Sequence, residues 1–237
     1  EKIADVIRVK AVHDKDKNDI TWQQDHCIFF ATRNGTVKKT ALTDYANVRR
    51  GGIIAIKIVP GDMLIEARFT SGHDDVVLIT AGGLSIRFHE DGVRTMGRSA
   101  AGVRGIRLVK EDHLVALAIV GNDATLLVAG ENGIGKRTVF DDYRVQSRGG
   151  KGVKTMKITT KTGKVVGGLT VRDGDEIMLI TVGGQMVRTA VGGIRQTGRN
   201  TQGVRLVNLD ANDRLQDIAP VITADKEQAV EEGEAGG

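Results

Sequence analysis

The chain has 237 residues, 40% of them apolar, with 31 Gly, two Pro, one Cys, one Trp, two Tyr and five Phe. Abundant glycine without a three-residue period excludes a collagen-like fibre, the longest apolar runs of about six residues are too short to span a bilayer as a helix, and a lone Cys27 permits no internal disulfide. The net charge of +4 is uneven: 225–237 holds five acids and one Lys, leaving 33 basic against 25 acidic groups in 1–224. A basic body with a short acidic end points to a polyanionic partner, or to a plain solvated surface with a disordered acidic tail.

Residues 1–5 (EKIAD) lack the apolar core of a secretory leader. Residues 5–12 (DVIRVKAV) resemble 112–120 (DHLVALAIV) and 213–221 (DRLQDIAPV), so they are predicted as a closing strand. The chain then begins in mid-repeat and reads as part of something longer. Residues 14–24 are a polar insertion, predicted as a loop that contains Trp22. Beyond it, β-branched runs at 28–33, 36–40, 53–58 and 63–69 are predicted strands, matched later by 126–129, 134–139, 153–158 and 165–171. Asn-Gly and Gly-Gly pairs between the first two runs supply hairpin turns. No window has sustained helical spacing.

Four copies align on turn glycines Gly35, Gly83, Gly133 and Gly184, spaced by 48, 50 and 51 residues. Four residues after each stand Lys39, Arg87, Arg137 and Arg188; fifteen after stand Arg50, Arg98, Arg148 and Arg199. Nineteen after, three copies have Gly102, Gly152 and Gly203, with Gly52 in a first copy two residues shorter; twenty-one after come Arg104, Lys154 and Arg205. With 34 Lys and Arg in the chain, one all-basic column of four arises by chance about 4 times in 10,000, and two are not an accident. Repeats of about 50 residues with four strands each predict an all-β, propeller-like array whose blades must stack to bury their sheets. The domain is placed at 1–224, and 225–237 is predicted to be a disordered acidic tail.

The Gly-His and Trp-Asp marks of one propeller family and the Tyr and Trp of kelch blades are missing. Regulators of chromosome condensation compete on period alone. The linking segments are more specific: 47–53 (NVRRGGI), 96–103 (MGRSAAGV), 146–153 (QSRGGKGV) and 197–204 (TGRNTQGV). The third resembles the Gln-Arg-Arg-Gly-Gly-Lys-Gly box of the DNA gyrase A C-terminal domain family, with Ser147 replacing an Arg, and the others look like degenerate copies. Residues 31–39 (ATRNGTVKK), 85–88 (SIRF), 96–98 (MGR) and 203–206 (GVRL) resemble the same family, in order over about 1–222.

The resemblance implies a β-pinwheel, a disc whose blades exchange strands, wrapping duplex DNA on a basic rim. It implies a non-catalytic part of an ATP-dependent type II topoisomerase that introduces negative supercoils. The partners implied are double-stranded DNA, the remainder of the gyrase A protein, and the gyrase B protein in an A2B2 holoenzyme. No membrane is involved, and the location is the bacterial cytoplasm and nucleoid. No cofactor is expected in this stretch; ATP and Mg belong elsewhere in the holoenzyme. The family's own box lies in a first blade, which this chain is expected to lack. The topoisomerase IV counterpart is the nearest alternative, and a protein-binding propeller a more distant one.

The expected DNA-binding set is Lys38, Lys39, Arg50, Arg87, Arg98, Arg104, Arg137, Arg148, Gly149, Gly150, Lys151, Gly152, Lys154, Arg188, Arg199 and Arg205. A duplex carries a charge about every 1.7 Å, so basic groups repeated per blade match its backbone, and bare glycines let main-chain N–H groups approach a phosphate. The competing reading is an interblade turn that needs glycine, and for the Lys39 column an ordinary strand position. Phe29, Phe30, Phe69, Phe88 and Phe140 are expected in the core, which favours duplex over single-strand binding. His13, His26, His73, His89 and His113 are scattered and give no metal spacing. Tyr45 and Tyr143 align with Val93 and Ile194, so they are predicted to be packing residues rather than nucleophiles. Residues 133–136 (GIGK) are a hairpin and no phosphate-binding loop of the G-x-x-x-x-G-K type occurs.

Overall fold

A computed structural model describes residues 3–7, 9, 11–14, 16–23, 25–47 and 49–222. The acidic tail at 225–237 lies outside the described residues. The first repeat gives β1 (Cys27–Thr32), β2 (Thr36–Ala41) and β3 (Leu64–Thr70); the second gives β4 (Asp75–Thr80), β5 (Leu84–His89), β6 (Val103–Arg104) and β7 (Leu114–Ile119). The third gives β8 (Thr125–Gly130), β9 (Ile134–Val139), β10 (Val153–Lys154) and β11 (Val165–Val171), and the fourth β12 (Glu176–Thr181), β13 (Met186–Ala190), β14 (Val204–Arg205) and β15 (Leu215–Pro220). All sheet pairings are antiparallel.

The sheets do not follow the repeats. Their orders are β3-β1-β2-β6, β7-β4-β5-β10, β11-β8-β9-β14 and β15-β12-β13. Each of the first three blades therefore takes its outermost strand from the next repeat, which is the strand exchange of a pinwheel. The inner strands β3, β7, β11 and β15 pack side by side and line a cavity of about 650 Å³. The result is an all-β, propeller-like array of four blades with the exchanged strands outermost.

Middle strands are buried on both faces, which explains the unbroken apolar runs of β1 (CIFFAT) and β8 (TLLVAG). Phe29, Val37, Leu78 and Ile86 fill the seam between blades one and two; Ile79, Val128, Tyr143 and Val165 fill the next; Leu127, Leu179, Val191 and Ile218 fill the third. Burying such side chains contributes about 1.5–3 kcal/mol each, so seams rather than single blades hold the array together.

Four expectations are corrected. Of the expected strand at 153–158 only Val153–Lys154 forms a ladder, on β5. The segment at 5–12 is not a strand; among its described residues it runs without a ladder, with the Asp5 carboxylate accepting from Ala67 N and pairing with Arg68. Residues 53–58 form no strand either: among the described residues no strand pairs with them, and Lys57 N instead donates to Ala100 O of the next linker. Phe69 is 36% exposed and stacks on His26, while Phe29, Phe30, Phe88 and Phe140 are buried as expected. Trp22 sits in a 3-10 turn, Thr21–Gln23, and packs with Ile7 against the outer face of blade one.

Candidate nucleic-acid interface

After its hairpin, each repeat turns through a short 3-10 segment, and repeats two to four then cross onto the outer strand of the preceding blade. The crossing is the same in all three cases: Met96 N donates to Lys39 O, Gln146 N to Arg87 O and Thr197 N to Arg137 O, each at 2.8 Å. The linker then turns and enters the exchanged strand. Successive linkers are also joined to each other, Lys57 N to Ala100 O, Arg107 N to Gly150 O and Lys157 N to Thr201 O. The outer rim is therefore one hydrogen-bonded strip of backbone running across the blades.

The glycine column explains the sharp entry into the exchanged strand. Gly152 has φ +76° and a Cβ there would stand 2.3 Å from Ser85 O; Gly203 has φ +95° and would meet Gly135 O at the same distance. Gly102 is alike, against Val37 O at 2.4 Å. Left-handed backbone and close strand approach both demand glycine here. Gly149 is also left-handed (φ +79°), and its N–H is turned inward to Gly105 O at 2.6 Å, whereas Gly150 has only ordinary contact with Ile86. Of the expected glycines, Gly149 and Gly152 are thus committed to the fold, while Gly150 is partly exposed and its carbonyl accepts from Arg107 N.

The predicted basic residues divide by depth. Lys39 is buried and ion-paired with Glu90 and Asp91, each at 3.7 Å. Arg87 pairs with Asp75 and donates to Phe140 O at 2.9 Å. Arg137, 4% exposed, donates to Ile194 O at 2.8 Å and pairs with Asp173. The carboxylates or carbonyls in all three cases include some from the next repeat, so this column clamps neighbouring blades. Its last member, Arg188, is half exposed and pairs with Glu176 of its own blade, and among the described residues no later repeat stands beside it. Lys38 is fully buried, with its ammonium on Ala55 O (2.6 Å) and Arg98 O (2.7 Å). In this arrangement Lys38, Lys39 and Arg137 have no surface to offer a phosphate.

The second column stays on the rim. Arg148 is exposed and donates to Gly92 O (2.7 Å) and Arg104 O (3.1 Å); Arg199 donates to Lys154 O (3.0 Å) and lies over the Tyr143 ring. Each grips the equivalent carbonyl of the preceding repeat, which keeps its guanidinium beside that repeat's exchanged strand. Arg50, Arg104, Lys151, Lys154 and Arg205 are exposed, and Arg98 is partly so.

Two further sets were missed in the sequence. Arg94, Arg144 and Arg195, all exposed, stand eleven residues after their turn glycines, and Lys57, Arg107 and Lys157 lie three beyond the exchanged-strand column. The offsets were readable, but both columns break in one copy, at Ala46 and Asn208. Lys136, buried with its ammonium on Gly198 O at 2.6 Å and on Arg199 O, was read only as part of a hairpin.

Nothing on the rim resembles a catalytic centre among the described residues. Tyr143 is buried with its hydroxyl 2.7 Å from Thr155 Oγ1, and burial pushes its phenol above the ordinary range, as it does for Tyr45. Val93 and Ile194 fill the same buried position.

The chain matches the family described as "DNA gyrase C-terminal domain, beta-propeller" in four successive stretches, 28–71, 74–121, 124–172 and 175–222. It is 45% identical over 213 residues to the DNA gyrase A protein of Salmonella typhimurium, covering 89% of this chain and 24% of that protein. The chain thus spans about a quarter of the length of such relatives. A solved structure of a DNA gyrase A C-terminal domain superposes with TM-score 0.78 at 27% identity, over 86% of this chain and 69% of that one. A topoisomerase IV C-terminal domain superposes with TM-score 0.81 at 25% identity, over 94% and 73%.

Proposed function

The chain belongs to the DNA gyrase C-terminal domain family, and from that premise we propose that its outer rim binds duplex DNA and bends it around the disc, supporting the negative supercoiling performed by a DNA gyrase. The observation that carries the reading is the joined strip of linkers, which sets Arg50, Arg98, Arg148 and Arg199 and the exchanged-strand bases Arg104, Lys154 and Arg205 in repeating order along one curved edge. Such contacts neutralise phosphates without reading bases. Bending 20–30 bp by 40–90° costs of order 1–6 kcal/mol, which the summed phosphate contacts offset.

Strand cleavage and ATP hydrolysis belong to the remainder of the gyrase A protein and to the gyrase B protein in this reading, with the chain acting as a non-catalytic domain of the bacterial cytoplasmic enzyme. The topoisomerase IV counterpart is kept as the second reading, because that fold superposes equally well. Sequence favours gyrase: the identity to a DNA gyrase A protein is 45%.

The test is a salt titration of duplex binding. If each of four blades neutralises about two phosphates, log K against log salt has a slope of roughly −7. A slope shallower than about −2, or a strong preference for one duplex among equals in length, overturns rim binding. Ligation of nicked circles on the chain, read as a change in linking number, separates wrapping from simple binding.

A further inference from the structure

The rim turns of repeats two and four rest on buried ammonium groups, and that of repeat three does not. Lys38 holds Arg98 O, Lys136 holds Gly198 O and Arg199 O, and the matching residue beneath the repeat-three turn is Ile86, in contact with Gly150. Around Lys38 the neighbouring charges are Asp44 and Arg98, and around Lys136 they are Asp142 and Arg199. A buried charge is costly to keep unless it is fully bonded, so these two lysines are an expensive way to support a turn that Ile86 supports without charge.

Their geometry has a directional consequence. In a planar trans peptide the carbonyl and the following N–H point opposite ways. Drawing Arg98 O and Arg199 O inward onto an ammonium therefore turns the N–H groups of Ser99 and Asn200 outward. Both residues are exposed, and among the described residues neither N–H has an acceptor. In the repeat-three turn the equivalent N–H, that of Gly149, points inward to Gly105 O.

We propose that Lys38 and Lys136 are positioning residues that aim the main-chain N–H groups of Ser99 and Asn200 at DNA phosphates, so that alternate blades grip the backbone through N–H groups while repeat three grips it through Arg148 and Lys151. The proposal rests on the rim-binding reading and adds to it a division of labour between blades. Neither lysine touches DNA. Their positive charge lies behind the turn and strengthens the outward N–H dipoles.

The test uses the whole chain, labelled with nitrogen-15, and a mixed-sequence duplex. On titration of the unaltered chain, the Ser99 and Asn200 amides shift and that of Gly149 does not. Lys136→Ile copies the residue that repeat two uses; it abolishes the Asn200 shift, leaves the Ser99 shift and weakens binding about tenfold at low salt. Its effect is non-additive with Arg199→Ala/Arg205→Ala in the same repeat as Asn200 and additive with Arg148→Ala/Lys151→Ala in the preceding one. If Lys136→Ile melts early, Lys38→Ile is read in the same way with the two amides exchanged. An Asn200 shift that persists in Lys136→Ile, or full additivity with both pairs, overturns the positioning role even if Arg148→Ala/Lys151→Ala weakens binding. If no rim substitution alters affinity, the rim-binding reading fails first, and the positioning role with it.

Discussion

Gly203 and Gly52 hold the same place in their repeats and have similar left-handed backbones, φ +95° and +77°. A Cβ on Gly203 would press against Gly135 O of the preceding blade, while one on Gly52 would meet nothing within 4 Å. Arg137 and Arg188 form a second such pair, one sealed between blades and the other half exposed on the last blade. So do 153–154, paired to β5 as an exchanged strand, and 53–58, which form no ladder. The same residue types in the same order acquire their roles from a neighbour. Inside the array each repeat donates a strand and receives one; in its first and last described blades only half of that exchange takes place. On the last blade β13 alternates exposed and half-buried residues, with Met186 66% exposed where Val37, Ser85 and Gly135 are buried.

The largest effect that would sharpen this contrast is steric. Gly152→Ala and Gly203→Ala are each expected to lower stability by at least about 3 kcal/mol, since a Cβ at 2.3 Å from a backbone oxygen must push an exchanged strand away. Gly52→Ala has only the left-handed backbone to oppose it, about 1–2 kcal/mol. Urea denaturation of the three variants measures the difference, and equal losses would break the comparison.

Next in size is the clamp. Arg137→Ala removes donors from Ile194 O and empties a buried site, which costs about 2–3 kcal/mol. Arg188→Ala is expected to leave the denaturation midpoint where it was, because its partner Glu176 and its own guanidinium are both within reach of water. A matching loss in the two variants would show that the column stabilises single blades rather than seams.

A third difference concerns pH. Burial lowers Lys38 and Lys136 from 10.5 to about 8. Between those values the unfolded chain binds more protons than the folded one, so these lysines make stability rise with pH through that window, and the gain is lost as pH falls through 8. Subtracting the Lys136→Ile profile from that of the unaltered chain isolates the contribution, since Cys27, Tyr45 and Tyr143 titrate in both. A flat difference between pH 8 and 10.5 would mean that the Lys136 ammonium is not desolvated. In that case Ile86 and Lys136 would support their turns at similar cost.

The repeats, their hairpins and their buried aliphatic runs were legible because strand pattern and turn chemistry are local. So was the position of every linker. What those linkers pair with was not. The expected strand at 53–58 resembles 153–158, yet only the latter joins an outer strand, and only through Val153 and Lys154. The candidate rim was legible as repeated basic columns, but not in which of their members stay at the surface. Arg148 and Arg199 stand on the rim, whereas Lys39, Arg87 and Arg137, drawn from a column just as regular, are turned to carboxylates and carbonyls at the seams. A conspicuous basic column signals a requirement for charge and carries no sign of which side of the strand it faces.

The sequence by itself determined that four similar units exist, where each hairpin turns, and which positions demand glycine or a basic side chain. Those are properties of a residue and its immediate chain neighbours. Only the tertiary structure decided which basic residues meet solvent, which ammonium groups lie behind the rim turns, and that each of the first three blades is completed by its neighbour. These depend on the approach of segments about 50 residues apart, whose hydrogen bonds and seams form only when the blades stack.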